Sequence, residues 1–483
     1  MSSPLRVRPD ERLQFWLDRS KSVFHTLASR VLNVVRHPLL FSLLLGTIVR
    51  LALAPWTEQR WDSYIDRLMG AYVIGYGISP LIPEKSCACL PILNFSYPPL
   101  WLFFLVLAFR VWQLLTGFQF PPAAGALWAQ GLSSGNIFQA YRSFVPGNLP
   151  LLDLMFKSPI IVSDAAIGYL IWAIAGKTKR AARVSLFGWL LNPYAITVSA
   201  VWGEFDSIAI LFMLLSIYYL LQRKTVKSAF WLGMGTSTKI FPGLLLPSII
   251  LFLVINRRDQ TARYLLGFAT TTVAAFSSLL LFPYPIEYIS RLLVGRATPN
   301  FNGTTIFSGL SWTVVLNALP SPPQIPLVLI LLPLTLTFVI VPSRRHLQEE
   351  YLLVFLAASL LCIYLSYPTI NVQYPLWAVP MLSILAIQGK IRKSILAIFS
   401  AIPALMLYTA FNPIYFISPA LIFDENNYPP ASDVVQQLWN FPVELFPLLT
   451  ASFTVIIIIA IWTLVKFLAR GEAVPYEAPH LKT

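Results

Sequence analysis

The sequence predicts an all-α polytopic membrane protein, and three observations lead to that class. Of the 483 residues, 57% are hydrophobic and only 12% are charged, whereas soluble domains carry about 25% charged residues. Apolar runs long enough for helical crossings recur along the chain. The basic residues fall mostly in short loops between these runs, which is typical of cytoplasmic loops. The formal net charge of +14 therefore indicates membrane topology and not a nucleic-acid partner.

The beginning of the chain predicts its orientation. Residues 1–37 are rich in arginine and too long and polar for the charged region of a signal peptide, so we expect a basic cytoplasmic segment. The first crossing follows at 38–55, and Arg50 in its last turn could extend to the outer face. Residues 56–97 then form an extracytoplasmic first loop, which we expect to carry interfacial helices.

Alternating basic and polar loops predict further crossings, which lie at 184–200, 207–222, 264–282, 325–341, 351–367, 374–389, 394–411 and 445–465. Two stretches do not fit simple crossings. Residues 228–255 are too few for two full crossings at 1.5 Å per residue, so we expect a helix pair broken around Lys239 and Pro242. Between 98 and 176, either 98–116 only dips into the membrane or 118–135 adds a crossing before 159–176. The total is about 11 to 13 crossings.

The organisation that follows has three parts. A transmembrane catalytic module spans 38–411 and includes a long outer loop at 283–324. An outer loop, a last helix and a cytoplasmic tail make up 412–483. We find no internal repeat, which argues against many secondary transporters. The three cysteines form no even framework for disulfides, and Cys87 and Cys89 have no histidine or further cysteine nearby, so no metal site is predicted there.

Asp62 and Asp66 stand out in the first loop because they are four residues apart. On a helix they would share one face, lying at the membrane surface. A carboxylate there can act as a general base toward a hydroxyl. Alternatively, Asp62 caps that helix and Asp66 is solvated.

Other polar residues lie within or beside apolar runs. Asp164 is an ionisable group inside a predicted crossing, which indicates a functional site or a partner such as Lys157 or another inward-facing base. Glu204 and Asp206 form a second outer acidic cluster, in which Asp206 could simply cap the next helix. Lys239 suits an anion such as a phosphate, or a salt bridge to Asp206 or Asp164, or both.

Further candidates lie in outer segments. Arg291 and Arg296 are phosphate-binding candidates in the long outer loop, where solvated arginines are equally compatible with the sequence. Gln373 and Tyr374 begin another crossing with polar groups facing out, and Tyr97 opens the proline-rich entry to the run at 98–116. There is no phosphate-cradling glycine loop, so the sequence does not indicate an ATPase.

Taken in chain order, these motifs resemble the GT-C superfamily of glycosyltransferases, which use polyprenyl-phosphate sugars. The matching pieces are Asp62-Ser63-Tyr64, Tyr97-Pro98-Pro99-Leu100, Ser163-Asp164, Leu190-Leu191-Asn192-Pro193, Gly203-Glu204-Phe205-Asp206-Ser207, Lys239-Ile240-Phe241-Pro242 and Gln373-Tyr374-Pro375-Leu376-Trp377. The ordered set spans about residues 45–385. It is most similar to the catalytic subunits of GPI mannosyltransferase I and to related prokaryotic proteins.

The resemblance implies that Asp62 is the catalytic base of an inverting transfer. A lipid-phosphate leaving group would need cations, which Lys239 with Arg291 or Arg296 would supply. The substrate-binding or supporting candidates are Asp66, Tyr97, Asp164, Glu204, Asp206, Gln373 and Tyr374. One departure matters, because Arg60 stands where the GPI enzymes carry the first Asp of an Asp-x-Asp pair. The incomplete pair argues against dependence on a divalent metal, and no other cofactor is implied.

The implied partners are a polyprenyl-phosphate sugar donor, with mannose as the sugar, and a lipid-, glycan- or protein-linked acceptor. The protein would lie in the plasma membrane of a prokaryote or the endoplasmic reticulum of a eukaryote, among membrane lipids. The alternative hypothesis is a flippase for lipid-linked sugars, which would use the same basic residues without chemistry and would not need Asp62.

Overall fold

The structure, a computed structural model, describes the chain in separate ranges. They are residues 37–59, 62, 66, 97–117, 149–281, 310, 327–343, 347–367, 370–410 and 445–470. Apart from isolated bridges at Thr57 and Ile370, the regular secondary structure of these ranges is helical. The predicted all-α polytopic class is therefore confirmed.

The helices are numbered in chain order through the described ranges. The first seven are α1 (Pro38–Leu53), α2 (Pro99–Thr116), α3 (Leu149–Ile174), α4 (Lys179–Ser185), α5 (Pro193–Ile196), α6 (Asp206–Leu221) and α7 (Thr225–Thr238). The others are α8 (Leu246–Asn256), α9 (Arg258–Ser277), α10 (Leu327–Ser343), α11 (Leu352–Ser366), α12 (Val379–Ile387), α13 (Lys393–Ala410) and α14 (Leu445–Arg470). Single turns of π-helix follow α4 and α5, at Leu186–Leu190 and Thr197–Trp202.

Five helical segments in the described ranges are long and apolar enough to cross a membrane. They are Pro38–Trp56, Pro99–Thr116, Pro150–Ile174, Glu349–Ser366 and Leu448–Arg470. A sixth is obtained if Lys179–Leu190 and Pro193–Trp202, which meet at an angle of 48°, are one bent span. The protein is thus a multi-pass membrane protein, while the total of 11 to 13 crossings stays a prediction.

The core is centred on α11, whose side chains are buried almost all round. Such a helix needs neighbours on every face, and α10, α12 and α14 are among those that pack against it. In a second group of helices, α3 packs against α1, α2 and α6, and α7 packs between α6 and α9. This second group carries most of the polar residues described below.

The crossing predicted at 159–176 is longer than expected, because α3 begins at Leu149 and contains Pro159. A proline inside a helix leaves the carbonyl four residues earlier without its N–H donor. Here the hydroxyl of Ser158 donates to that carbonyl, the one of Met155, at 2.9 Å. The proline therefore does not end the helix, and the prediction that the crossing starts there is wrong.

The predicted break in 228–255 is confirmed. Helix α7 ends at Thr238, Lys239 has an extended backbone, and a 3₁₀ turn at Phe241–Leu245 leads into α8. Lys239 is only 6% exposed. The break thus places a buried cation at the junction of two helices, where irregular backbone in a membrane protein is surrounded by protein.

Other predicted crossings differ in detail. The run at 98–116 forms α2, a helix long enough to cross, and residues 118–135 lie outside the described ranges. The crossing predicted at 184–200 is bent before Pro193, whose preceding residue Asn192 accepts a hydrogen bond from the backbone N–H of Tyr194 at 3.0 Å. The crossing predicted at 374–389 is a 3₁₀ turn followed by the nine-residue α12, and every residue of α12 is buried.

Candidate functional site

The candidate site lies where the start of the first loop meets the turn before α6 and the break after α7. The backbone N–H of Gln59 donates to the carbonyl of Trp202 at 3.1 Å. The Thr57 hydroxyl donates to the carbonyl of Ala200 at 3.3 Å. These contacts join residues more than 140 positions apart, so they fix the beginning of the first loop against the end of the bent span.

Lys157 reinforces this junction from α3. Its ammonium donates to the carbonyls of Ala54, Ala200 and Val201 at 3.3, 2.9 and 3.1 Å, and also to the carbonyl of Thr57. Carbonyls at the ends of helical turns lack intrahelical donors, so a cation there is favourable. Lys157 therefore binds backbone carbonyls, and of the two partners left open for Asp164 the structure shows the other, an inward-facing base.

Asp62 is held by this junction. Its backbone N–H donates to Gln59 Oε1 at 2.6 Å, and its Oδ2 accepts from the indole N–H of Trp202 at 2.8 Å. The side chain is half-buried. Since both partners are themselves linked through the bond between Gln59 and the Trp202 carbonyl, the carboxylate has a defined position at the start of the loop.

Asp66 has a different partner. Its Oδ1 accepts from the indole N–H of Trp101, on α2, at 3.3 Å. The Trp101 ring stacks on Phe205 with centroids 4.3 Å apart, and the ring of Tyr97 meets Phe205 edge-on at 4.8 Å. The two carboxylates of the first loop therefore contact separate elements, and Tyr97 belongs to the aromatic wall between them and α6.

Lys239 lies at the centre of the acidic cluster. Its ammonium is 2.8 Å from Asp206 Oδ2 and 3.3 Å from Glu204 Oε2. The ring centroids of Phe205, Tyr97 and Tyr374 are 4.6, 5.7 and 5.8 Å from the same nitrogen. Of the alternatives left open by the sequence, the salt bridge to Asp206 is therefore present, and the one to Asp164 is not.

The charges in this cluster are set by burial and by each other. Glu204 lies in the turn after the bent span, where burial raises its pKa to about 8, Lys239 lowers it and Asp206 raises it. Asp62 and Asp66 also raise it. The cluster thus favours a protonated Glu204 beside the ion pair of Lys239 with Asp206.

The turn before α12 closes the cluster from the other side. Gln373 Nε2 donates to Glu204 Oε1 at 3.4 Å, and the indole N–H of Trp377 donates to Asp206 Oδ1 at 2.5 Å. The Trp377 ring stacks on Phe241 with centroids 3.8 Å apart and on Tyr374 at 4.4 Å. Gln373 and Tyr374 therefore lie beside the Lys239 cluster.

Asp164 is fully buried, and its partner is an inward-facing base, which is one of the alternatives left open by the sequence. Its Oδ2 is 2.6 Å from Arg50 Nε, and its Oδ1 accepts from the Ser207 hydroxyl at 2.7 Å. Arg50 also donates to the carbonyls of Gly46, Leu190 and Trp189. Because Arg50 is fully buried, the prediction that it extends to the outer face is wrong. The pair links α1 and α3 beneath the start of α6.

Three tryptophans that donate to carboxylates of the site were not among the candidate site residues from sequence: Trp101, Trp202 and Trp377. Trp101 and Trp202 flank quoted motifs, and Trp377 ends one. A tryptophan at a membrane surface is ordinary, and only the fold shows that each N–H faces a carboxylate. Arg291 and Arg296 lie outside the described residues. In the described ranges, no three carboxylate, imidazole or thiolate groups converge as metal ligands.

Comparisons with known proteins agree with these motifs. A family model described as dolichyl-phosphate-mannose-protein mannosyltransferase matches residues 156–282. The chain is similar to GPI mannosyltransferase 1 of Debaryomyces hansenii, with 30% identity over 153 residues, and to GPI mannosyltransferase 1 of Candida albicans, with 29% identity over 162 residues. The alignments cover 28% and 29% of this chain and span 37% and 40% of the two relatives.

A solved structure is also similar, namely the crystal structure of ArnT from Cupriavidus metallidurans bound to undecaprenyl phosphate. The TM-score is 0.41 with 15% sequence identity, over 89% of this chain and 77% of the ArnT chain. The stretch matched by the family model contains Lys157, Asp164, Glu204, Asp206 and Lys239. The resemblance of the chain to GT-C glycosyltransferases is confirmed by the family model and the two relatives.

Proposed function

We propose that this protein, a multi-pass chain that resembles the GT-C glycosyltransferases, transfers a hexose from a polyprenyl-phosphate donor to an acceptor hydroxyl. By the same resemblance the sugar is mannose, and the acceptor is linked to a lipid, a glycan or a protein. The module that performs the transfer spans 38–411. Its site faces the extracytoplasmic side, in the plasma membrane of a prokaryote or the endoplasmic reticulum of a eukaryote.

The observation that carries the proposal is the position of Asp62 next to the Lys239 cluster. The carboxylate is oriented by the Trp202 indole, at 2.8 Å, and remains half-buried. A general base must be within hydrogen-bond reach of the proton that it removes, and a fixed, partly open carboxylate at the start of the first loop meets that need. Glu204 contacts Lys239 at 3.3 Å and lies two residues after the tryptophan that holds Asp62, which supports base and cation acting at one site.

In the proposed reaction, Asp62 removes the proton from the acceptor hydroxyl while the hydroxyl oxygen attacks the anomeric carbon of the donor sugar. The bond from that carbon to the phosphate oxygen breaks, and the configuration inverts. The leaving group is an anionic lipid phosphate, which needs a cation more than a proton. Lys239 supplies this charge, and Arg291 and Arg296 are proposed to add to it.

Lys239 can serve both the ion pair and the donor phosphate. An ammonium has three N–H donors, and Glu204 and Asp206 take two of them. The rings of Phe205, Tyr97 and Tyr374 surround the same nitrogen, so a phosphate would approach along this aromatic wall. A protonated Glu204 leaves Asp206 as the main counter-ion, which keeps the lysine available to a second anion.

The test is transfer of labelled mannose from a polyprenyl phosphate by the purified protein in proteoliposomes. Asp62→Asn should abolish transfer, whereas Asp66→Asn, four residues further on and bound to Trp101 instead, should retain most of it. Undiminished transfer by Asp62→Asn would exclude the assigned base. Translocation of the lipid-linked sugar without any transfer product would favour the flippase alternative.

A further inference from the structure

A second charged site lies far from the candidate active site in sequence, between the beginning of α13 and the end of α14. These two helices pack against each other and leave a concave groove of about 490 Å³. Four basic side chains line it: Lys390, Arg392, Lys466 and Arg470. Among the described residues, the lining contains no acidic side chain. Basic residues are expected on the predicted cytoplasmic side of the membrane, but topology does not explain why four of them line one groove.

The groove changes character along the helices. On α14 the lining residues follow helical spacing, from Ile456 and Ile459 through Trp462 to Lys466 and Arg470. On the other wall, Lys390 and Arg392 are followed by Ile395 and Ile398. Both walls thus place cations at the same end and apolar residues at the other. Ile398, Ile459 and Trp462 are 45%, 44% and 51% exposed, so the apolar end is open to whatever occupies the membrane.

The cation at the base of the groove is buried. Lys390 is 5% exposed, its ammonium donates to the carbonyl of Glu350 at 3.0 Å, and it lies 5.5 Å from the centroid of the Phe467 ring. Burial lowers the pKa of Lys390 to about 8, while the Glu350 carboxylate raises it. Lys466 lies 5.0 Å from the centroid of the Trp462 ring. An anion between Lys390 and Lys466 would offset the cost of keeping a buried ammonium charged.

We propose that this groove binds an anionic phospholipid of the predicted cytoplasmic leaflet. The headgroup phosphate lies among Lys390, Arg392, Lys466 and Arg470, and an acyl chain follows the isoleucines toward the middle of the membrane. Basic pockets between transmembrane helices are suited to such headgroups. Both walls place their cations at one end of the groove and their apolar residues at the other, and this arrangement favours an amphiphile over a soluble anion. This site is independent of the proposed transfer reaction.

The test is native mass spectrometry of the delipidated full-length protein with phosphatidylglycerol or phosphatidylcholine of identical acyl chains. The protein should retain phosphatidylglycerol in preference. The double variant Arg392→Glu with Lys466→Glu should lower this retention by about tenfold or more. Ile459→Trp, which fills the apolar part of the groove and leaves the charge unchanged, should lower it as well. Inorganic phosphate should not displace the lipid.

The matched control is the double variant Arg258→Glu with Arg263→Glu, which makes the same change of charge at exposed positions of α9 outside the groove. It should retain phosphatidylglycerol like the unchanged protein. Equal losses in both double variants, or equal retention of the two lipids, would overturn the proposal. A gain of bound lipid on removal of residues 471–483 would also overturn it, because that segment would then be the occupant of the groove. A dimer that excludes lipid from the groove would overturn it as well.

Discussion

The indole N–H of Trp202 donates to Asp62 Oδ2 at 2.8 Å, while the carbonyl of the same tryptophan accepts from the backbone of Gln59 at 3.1 Å. One residue therefore holds both the first-loop carboxylate and the start of that loop. Gln59 completes the arrangement, because its side chain accepts from the Asp62 backbone. The orientation of Asp62 depends on a residue 140 positions away.

We expect Trp202→Phe to lower kcat for sugar transfer and to leave KM for the donor nearly unchanged. The substitution keeps an aromatic ring and the backbone bond to Gln59 but removes the indole N–H. A hydrogen bond to a charged group contributes about 1.5–3 kcal/mol, which corresponds to a loss of roughly tenfold to a hundredfold. Steady-state transfer in proteoliposomes measures it. Trp172→Phe, whose ring is near Tyr169 on α3, is the control, and an equal loss there would contradict the role of Trp202.

Removing Lys239 should destabilise the protein more than removing Glu204. Lys239→Gln leaves Asp206, which is fully buried, without its ammonium at 2.8 Å. Breaking a buried ion pair in this way costs about 3–5 kcal/mol. Glu204→Gln keeps the pair of Lys239 with Asp206 and replaces a carboxyl that already favours its protonated form. Thermal unfolding in one detergent compares the two, and equal losses would show that Asp206 is not the main partner.

The stability of the protein should fall with rising pH because of Glu204. Burial raises the pKa of Glu204 from 4.5 to about 8, so the native state holds a proton that the unfolded chain releases. This contribution to the free energy of unfolding is complete below pH 4.5 and is lost as the pH rises through about 8. We expect the unfolding temperature of Glu204→Gln to change less than that of the unchanged protein across this range. Parallel curves of unfolding temperature against pH for the two proteins would contradict the raised pKa of Glu204.

Arg50 and Asp164 should behave as a coupled structural pair. Either Arg50→Met or Asp164→Asn alone leaves one fully buried group without its 2.6 Å partner and should cost about 3–5 kcal/mol. The double variant should cost less than the sum, because no unpaired charge remains. Chemical denaturation of the four proteins gives the coupling energy. Additive losses would mean that the two side chains act independently.

Gly203→Ala should be more destabilising than Gly176→Ala, although both glycines have nearly the same positive φ, 93° and 95°. An L-residue in this region costs about 1–2 kcal/mol at either position. At Gly203 the added Cβ would also lie 3.0 Å from Lys157 Cε, whereas nothing lies within 4 Å at Gly176. Thermal unfolding measures the two losses of stability. A larger loss at Gly203 would reflect the close packing of Lys157 against this glycine, and equal losses would contradict that packing.

Much of the architecture followed from composition and spacing. Apolar runs predicted the helices because backbone groups in a bilayer must bond within the helix, and the break at Lys239 was visible because a lysine interrupts an apolar run. The places where prediction was wrong have local causes. The hydroxyl of Ser158 replaces the donor that Pro159 lacks, so α3 continues through it. Arg50 remains inside because Asp164 and three carbonyls bind it.

The sequence by itself determined that this is a helical membrane protein, and it identified the candidate residues Asp62, Glu204, Asp206, Lys239 and Gln373. Only the tertiary structure decided which of them meet. Pairing depends on distances between segments separated by up to 171 positions, as for Trp377 and Asp206. Periodicity along a chain carries no information on such distances, because they are set by how the helices pack. The ion pair of Lys239 with Asp206 and the bond of Trp202 to Asp62 are consequences of that packing.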